Sequence, residues 1–208
     1  ALMCANFFDN PSKKMKMIGI TGTNGKTTST YLIKDILQQQ GCDNITIAGS
    51  HTLGSGKDTD HGHEHTISVI QKIFQQTQDC HQEANGHSGK SDLMICEACE
   101  FQDHYLCLST ETAVILNVDA DHLDYFKDLA DVQKSFRAFA ELSTGGVIAN
   151  GDDPHVLETL NGMDYVSFGY GISNRVRAVN YSQDWRRFDV LCDGEFYCHL
   201  DLKVIGKH

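Results

Sequence analysis

The sequence predicts an α/β fold in which helices flank a mainly parallel sheet, with a small antiparallel β piece at the C-terminal end. Short apolar segments alternate with segments of helical periodicity along most of the chain, which is typical of strand–helix–strand units and of a parallel sheet. The chain then closes with three strand-like segments that have no helix between them. Only two prolines, Pro11 and Pro154, interrupt the 208 residues.

The first half of the chain contains two predicted strand–helix units. Residues 16–21 form a short apolar strand that runs into a Gly-rich turn, and residues 44–48 form a second strand. Helical spacing follows each strand, because apolar residues recur every three or four positions. These residues are Leu32, Ile33, Ile36 and Leu37 in helix 27–40, and Ile67, Ile70, Ile73 and Phe74 in helix 66–78. Residues 49–65 and 79–91 are polar and are predicted to be loops.

The second half continues the alternation. Buried strands are predicted at 92–96 and 113–118, and further strands at 146–150 and 165–170. One helix is marked by the spacing of Leu129, Val132, Phe136 and Phe139, and a short helix is predicted at 152–160. The closing strands are 176–181, 187–192 and 195–204. Asp193-Gly194 stands between the last two, where a two-residue hairpin turn belongs.

Composition excludes several functional classes. The chain has 17 Lys and Arg against 28 Asp and Glu, a formal net charge of −11, which argues against broad nucleic-acid binding. Its apolar runs fall far short of the ~20 residues that a membrane helix needs, so no membrane insertion is expected. No secretory signal is visible. The eight cysteines do not form the dense framework of a small secreted domain, so we expect reduced thiols and a cytoplasmic location.

The strongest motif is G-T-N-G-K-T-T at 22–28, between a predicted strand and a predicted helix. Glycines let backbone N–H groups close around phosphate oxygens, and the helix N-terminus favours negative charge. Lys26 is expected to meet the β- and γ-phosphates of ATP, and the Thr27 hydroxyl to bind Mg²⁺. These features predict a P-loop NTPase-like sheet, although Ile20 stands where the common motif has glycine. The alternative is an ordinary strand–helix turn.

The loop resembles the ATP loop of the Mur ligase family, and the resemblance extends along nearly the whole chain. E-A-C-E at 97–100 resembles the acidic strand end of the family's L-alanine-adding branch, and N-V-D-A-D-H-L-D at 117–124 resembles its N-x-x-x-D-H-x-D segment. N-G-D-D-P at 150–154 and G-K-H at 206–208 resemble two further family segments. The order of the segments is that of the family.

This resemblance implies a function. The expected activity is an ATP-dependent, ADP-forming ligase of peptidoglycan-precursor synthesis, which joins an amino acid, L-alanine, to UDP-N-acetylmuramate through an acyl phosphate. The partners are then a UDP-muramoyl substrate and an amino acid, with ATP and Mg²⁺ as cofactors. Three alternatives stay open: a third-residue ligase, because N-F-F-D-N-P-S at 6–12 resembles the lead-in of those enzymes; a folylpolyglutamate-type ligase; and a nucleotide-binding module that ligates nothing.

The resemblance also implies site residues. Lys26, Glu97 and His122 are the expected catalytic residues, and Thr27, Glu97 and His122 the expected metal ligands. The expected ATP-binding residues are Gly22, Thr23, Asn24, Gly25, Lys26, Thr27, Thr28, Asn150 and His208. Glu100 is a further candidate for a substrate or adenine contact. Glu97 can instead cap a neighbouring loop, and His122 can be a packed or helix-capping histidine.

Three other features have alternative explanations. Cys96 and Cys99 form a C-x-x-C, which fits a zinc half-site or a redox pair but overlays the acidic motif. Histidines cluster in a polar loop, at His51, His61, His63 and His65, where they can chelate a metal, contact substrate or merely be solvated. Lys134 is near the place where some family members carry a carbamylated lysine, although the spacing does not clearly match.

The resemblance also predicts the domain organisation. Residues 1–14 are expected to be an interdomain lead-in and residues 15–208 the central ATP-binding domain. The UDP-binding and amino-acid-binding domains of the family are expected to lie outside the printed sequence. These 208 residues alone are therefore expected to bind nucleotide weakly and to ligate nothing.

Overall fold

The computed structural model describes residues 11–48, 86–87 and 89–202. Its strands are β1 (Lys16–Thr21), β2 (Ile45–Ile47), β3 (Gly86–His87), β4 (Leu93–Glu97), β5 (Thr112–Ile115), β6 (Gly146–Asn150), β7 (Val166–Gly169), β8 (Val176–Val179), β9 (Arg187–Cys192) and β10 (Glu195–Asp201). Its α-helices are α1 (Lys26–Gln39), α2 (Leu129–Glu141) and α3 (Pro154–Thr159). Two 3₁₀ segments cover Pro11–Lys14 and Phe101–Cys107.

The ten strands of the described residues form one sheet in the order β10-β9-β8-β7-β6-β5-β1-β4-β2-β3. All neighbouring pairs from β8 to β2 run parallel. Strands β3, β9 and β10 are antiparallel to their neighbours. The predicted antiparallel piece is confirmed, and β8 joins it to the parallel body as a continuation of the same sheet. Strand β1 lies centrally, between β4 and β5.

Both faces of the central sheet are covered by helices. On one face, Phe136 and Phe139 of α2 are fully buried, and the Tyr105 ring stacks on Phe139 with centroids 4.6 Å apart. On the other, Ile33 and Leu37 of α1 pack against buried side chains of the sheet. The predicted apolar face of α2 is therefore confirmed. The predicted apolar face of α1 is correct for Ile33 and Leu37 and wrong for Leu32 and Ile36, which are 40% and 59% exposed.

Local predictions and the structure differ in a few places. Gly86–His87 is the edge strand β3, within a region that we predicted to be a loop; its pairing with β2 depends on a partner distant in sequence. Strand β5 ends at Ile115, three residues before the predicted end. The predicted loop 49–65 with its histidines, the predicted helix 66–78, and the segments 6–10 and 206–208 lie outside the described residues.

The predicted hairpin turn between β9 and β10 is confirmed. Asp193 and Gly194 both have positive φ angles, 52° and 87°, as a type I′ turn requires. The Arg175 guanidinium donates to both carboxylate oxygens of Asp193, at 2.8 and 2.9 Å. This ion pair fastens the turn to the start of β8. Among the described residues, no helix combines the length and the apolar character needed to cross a bilayer.

Candidate nucleotide-binding site

The Gly-rich loop connects β1 to α1 at the carboxyl edge of the sheet. Gly22 has φ 147°, and a Cβ atom there would lie 3.0 Å from Leu116 Cβ and 3.2 Å from the Asn117 nitrogen. Gly25 has φ 86°, in the left-handed region that favours glycine. Ile20 is a fully buried residue of β1, in register with Val114 of β5. Because the strand continues through position 20, the loop begins later than in the common motif and needs no glycine there.

Asn117 braces this loop. Its Oδ1 accepts a hydrogen bond from the Asn24 backbone N–H at 2.8 Å, and its Nδ2 donates to the Asn24 carbonyl at 2.9 Å. The Thr23 hydroxyl accepts from the Asp119 N–H at 2.9 Å. The segment after β5 therefore fixes the conformation of the Gly-rich loop at the sheet edge. Sequence reasoning placed Asn117 in a family-like segment but missed this role, because the two segments are more than 90 residues apart.

Lys26, at the first position of α1, lies over the loop. Its Nζ donates to the Gly22 carbonyl at 2.6 Å and to the two carboxylate oxygens of Glu100 at 3.2 and 3.1 Å. The Glu100 side chain is buried, with an exposed fraction of 3%, and the Lys26 side chain is mostly buried, with an exposed fraction of 12%. A buried carboxylate is costly unless it is paired, so Lys26 and Glu100 stabilise each other's charge. The structure thus assigns Glu100 a contact with Lys26, beyond the substrate or adenine contact expected from the sequence.

Thr27 and Glu97 bring oxygen atoms together beside the loop. The Thr27 hydroxyl donates to Glu97 Oε2 at 2.9 Å. Glu97 is the last residue of β4, which pairs directly with β1, so parallel strand ends bring the two side chains to one edge. Mg²⁺ prefers oxygen donors of this kind, and the pair fits a place for the cation beside bound phosphate.

His122 stands next to Glu100 in a turn of unusual backbone geometry. Its φ angle is 51°, and its Nε2 lies 4.0 Å from Glu100 Oε1. The Phe101 ring lies 4.9 Å from the His122 ring. Within the described residues, one group of possible metal-ligating atoms lies within 4.8 Å of one another, and it joins His122 to Glu100 and Asp121. The ligand set Thr27, Glu97 and His122 stays a prediction.

The four remaining predicted residues have different outcomes. The Asn150 amide donates to the Leu116 carbonyl at 3.0 Å and accepts from the Asp152 N–H at 3.0 Å, so it braces the ends of β5 and β6. An adenine contact of Asn150 stays a prediction. His208 lies outside the described residues. Thr28 is exposed in the first turn of α1, and Lys134 is exposed on α2.

The two cysteines of the C-x-x-C motif are protonated at neutral pH. Burial, with a smaller contribution from the Glu97 charge, raises the pKa of Cys96 to about 12. Burial and the Glu100 charge raise the pKa of Cys99 to about 11. Zinc ligation and disulfide exchange both need the thiolate. The environment therefore disfavours the zinc and redox interpretations of this motif.

The strand–loop–helix at the edge of a mainly parallel sheet, with a lysine held over the loop, defines an α/β domain of the P-loop type. Residues 20–208 match the family model described as the Mur ligase middle domain. The chain belongs to this family, as the resemblance in its sequence predicted.

Individual relatives agree with this membership. The chain is 33% identical over 204 residues to a UDP-N-acetylmuramate–L-alanine ligase of Caldanaerobacter subterraneus subsp. tengcongensis, an alignment that covers 94% of this chain and 38% of the relative. It therefore spans about two fifths of that protein's length.

Two solved structures show the same fold. One is the UDP-N-acetylmuramate:L-alanyl-gamma-D-glutamyl-meso-diaminopimelate ligase from Neisseria meningitides, with a TM-score of 0.67 and 20% identity, covering 98% of this chain and 60% of that one. The other is a MurF ligase from Thermotoga maritima in complex with ADP, with a TM-score of 0.63 and 14% identity, covering 95% and 44%.

Proposed function

We propose that residues 15–208 form the ATP-binding domain of an ADP-forming ligase that joins L-alanine to UDP-N-acetylmuramate. The observation that carries the proposal is the position of Lys26, held over a braced Gly-rich loop by the buried Glu100. The 33% identity to a ligase of that name supports the choice of substrates. The pairing of Thr27 with Glu97 supports a nucleotide bound with Mg²⁺.

The loop is suited to the triphosphate of ATP. Backbone N–H groups near the helix N-terminus offer hydrogen bonds to phosphate oxygens. The Lys26 ammonium, which donates to Gly22 and Glu100, is the cation that would donate to a β- or γ-phosphate oxygen. The phosphate then shares the Lys26 ammonium with Glu100, which lies 4.0 Å from His122 Nε2.

The proposed reaction has two steps. A carboxylate oxygen of UDP-N-acetylmuramate attacks the γ-phosphorus, the bond from that phosphorus to the β,γ-bridging oxygen breaks, and ADP leaves. The amine nitrogen of L-alanine then attacks the acyl carbon, the carbon–oxygen bond to phosphate breaks, and the amine gives up a proton. Positioning and charge neutralisation dominate phosphoryl transfer, and Lys26 supplies both. Mg²⁺, when bound through Thr27, Glu97 and His122, adds charge neutralisation at the phosphates.

Phosphate release tests this proposal in the full-length protein. With ATP, Mg²⁺ and UDP-N-acetylmuramate, we expect release that depends on L-alanine and exceeds that with the other amino acids and diaminopimelate. Release that depends on another amino acid would replace the substrate assignment. ATP turnover without any acceptor would favour the nucleotide-binding module and contradict the ligase.

A further inference from the structure

Asp103 lies in a strained backbone within the 3₁₀ segment that follows the Glu97–Glu100 strand end. Gln102 and Asp103 have φ angles of 53° and 56°, two consecutive non-glycine residues in the left-handed region. Each such residue costs on the order of 1 kcal/mol, and such conformations persist only when surrounding contacts hold them. The contacts that hold this backbone conformation are therefore sought at the Asp103 side chain.

Both carboxylate oxygens of Asp103 accept hydrogen bonds from other segments. Oδ1 accepts from the Ser135 hydroxyl of α2, and Oδ2 accepts from the Tyr125 hydroxyl at 2.8 Å. The Ser135 hydroxyl is also 2.8 Å from the buried Tyr105 hydroxyl. Asp103 therefore ties the segment after β4 both to α2 and to the segment that carries His122.

Tyr125 belongs to the same turn as His122. The backbone N–H groups of Tyr125 and Phe126 donate to the His122 carbonyl at 2.8 and 2.9 Å. The Phe101 ring lies against both rings, 4.9 Å from His122 and 6.2 Å from Tyr125. A bond that fixes the Tyr125 side chain thus fixes the turn that places His122 beside Glu100.

We propose that Asp103 and Tyr125 form a clamp of positioning residues that holds His122 at the metal–phosphate site. The clamp acts through His122 and touches neither substrate nor nucleotide. The inference rests on the proposed function, since it gives His122 a role at bound Mg²⁺-ATP.

A purely structural role for the Tyr125 hydroxyl is separable from this one. The turn is already anchored in the core by Phe126, which is 3% exposed, whereas Tyr125 is 44% exposed. Removing the hydroxyl while retaining the ring leaves the contact with Phe101 in place. Stability is therefore expected to change little, while the position of His122 changes.

The test, in the full-length protein, compares Tyr125→Phe with wild type and with Tyr197→Phe, a control at a 73% exposed tyrosine of β10. Calorimetric titration with ATP is run with Mg²⁺ and with EDTA. In Tyr125→Phe we expect the Mg²⁺-dependent gain in ATP affinity to fall about fivefold, which is the effect of one lost hydrogen bond. The ATP affinity measured with EDTA should stay within about twofold of wild type. Amide exchange followed by mass spectrometry should show faster exchange in residues 119–127 and unchanged exchange in α2. The control should match wild type.

The outcomes separate the two proposals. If wild type gains affinity with Mg²⁺ and Tyr125→Phe matches it in both titration and exchange, the clamp is wrong and the proposed function stands. An equal loss with Mg²⁺ and with EDTA would mean a general structural role and would also overturn the clamp. If wild type binds no nucleotide, the proposed function fails, and the assignment of the clamp to that site fails with it.

Discussion

Lys26 and Glu100 form an ion pair at the candidate site, and each side chain neutralises the charge of the other. Removing one member of such a pair leaves a buried charge without compensation, which is far costlier than removing both. Binding and stability therefore respond differently to substitution here. A single change at Lys26 alters both, and a double change can separate them.

Lys26→Met is expected to weaken ATP binding by at least about a hundredfold and to lower the free energy of unfolding by about 3 kcal/mol, because Glu100 stays buried and loses its lysine partner. The double variant Lys26→Met with Glu100→Gln should recover most of the stability without recovering binding. Titration calorimetry and urea unfolding measure the two quantities.

The matched control is Lys34→Met, on the same helix and remote from Glu100, which should retain binding and stability. Wild-type affinity in Lys26→Met would contradict the placement of this lysine at the phosphates.

At the scale of elements, the helices on one face of the sheet are set by their N-terminal caps. The Asp128 carboxylate accepts from the Asp131 N–H at 2.9 Å at the start of α2. The Asp153 carboxylate accepts from the N–H groups of His155 and Val156 at the start of α3, with Pro154 at the first helical position. Helix α2 carries Phe136 and Phe139 of the core, and also Ser135, which donates to Asp103 of the clamp, so its start affects stability and site alike.

Asp128→Ala is expected to lower the free energy of unfolding by about 1 kcal/mol, because the first turn of α2 loses a hydrogen-bond acceptor. Asp128→Asn retains an acceptor oxygen and should lose at most a few tenths of that value. Chemical unfolding monitored by circular dichroism measures both. Equal destabilisation by the two variants would show that charge, rather than the cap, is what matters at this position.

At the scale of the whole molecule, burial raises the pKa of three groups in or beside the core. The pKa of Cys96 is raised to about 12 and that of Cys99 to about 11, chiefly by burial. Burial also raises the pKa of Tyr105. Unfolding exposes these groups and returns their pKa values to the ordinary range near 9 to 10.

Stability is therefore expected to fall as the pH rises above about 9. Between the unfolded and folded pKa values, the unfolded chain releases these protons while the folded chain retains them, so each pH unit favours unfolding by about 1.4 kcal/mol per thiol. Melting temperatures from pH 7 to 11 in the presence of a reductant measure the effect. Cys96→Ala should show a shallower decline than wild type above pH 9, and equal slopes would contradict the burial of that proton.

Much of the fold was predictable because its signals are short-range. The helical spacing of α2, the strand β1 followed by the Gly-rich loop, and the Asp193-Gly194 turn each depend on residues close together in the chain. The position of Glu97 at a strand end was likewise predictable from residues close to it in the chain. The spacing of α1 was less informative, since it could not show that Leu32 and Ile36 face solvent.

The sequence by itself determined the α/β class, the phosphate-loop motif and the family, because each is written in local pattern and motif order. Only the tertiary structure decided that Glu100 pairs with Lys26, that Asn117 braces the loop and that Asp103 reaches Tyr125. These contacts join residues 22 to 93 positions apart, and they depend on which strand ends become neighbours in the sheet. The pairing of β1 with β4 and β5 determines which strand ends are neighbours. That pairing is stabilised because the sheet is buried between its helices.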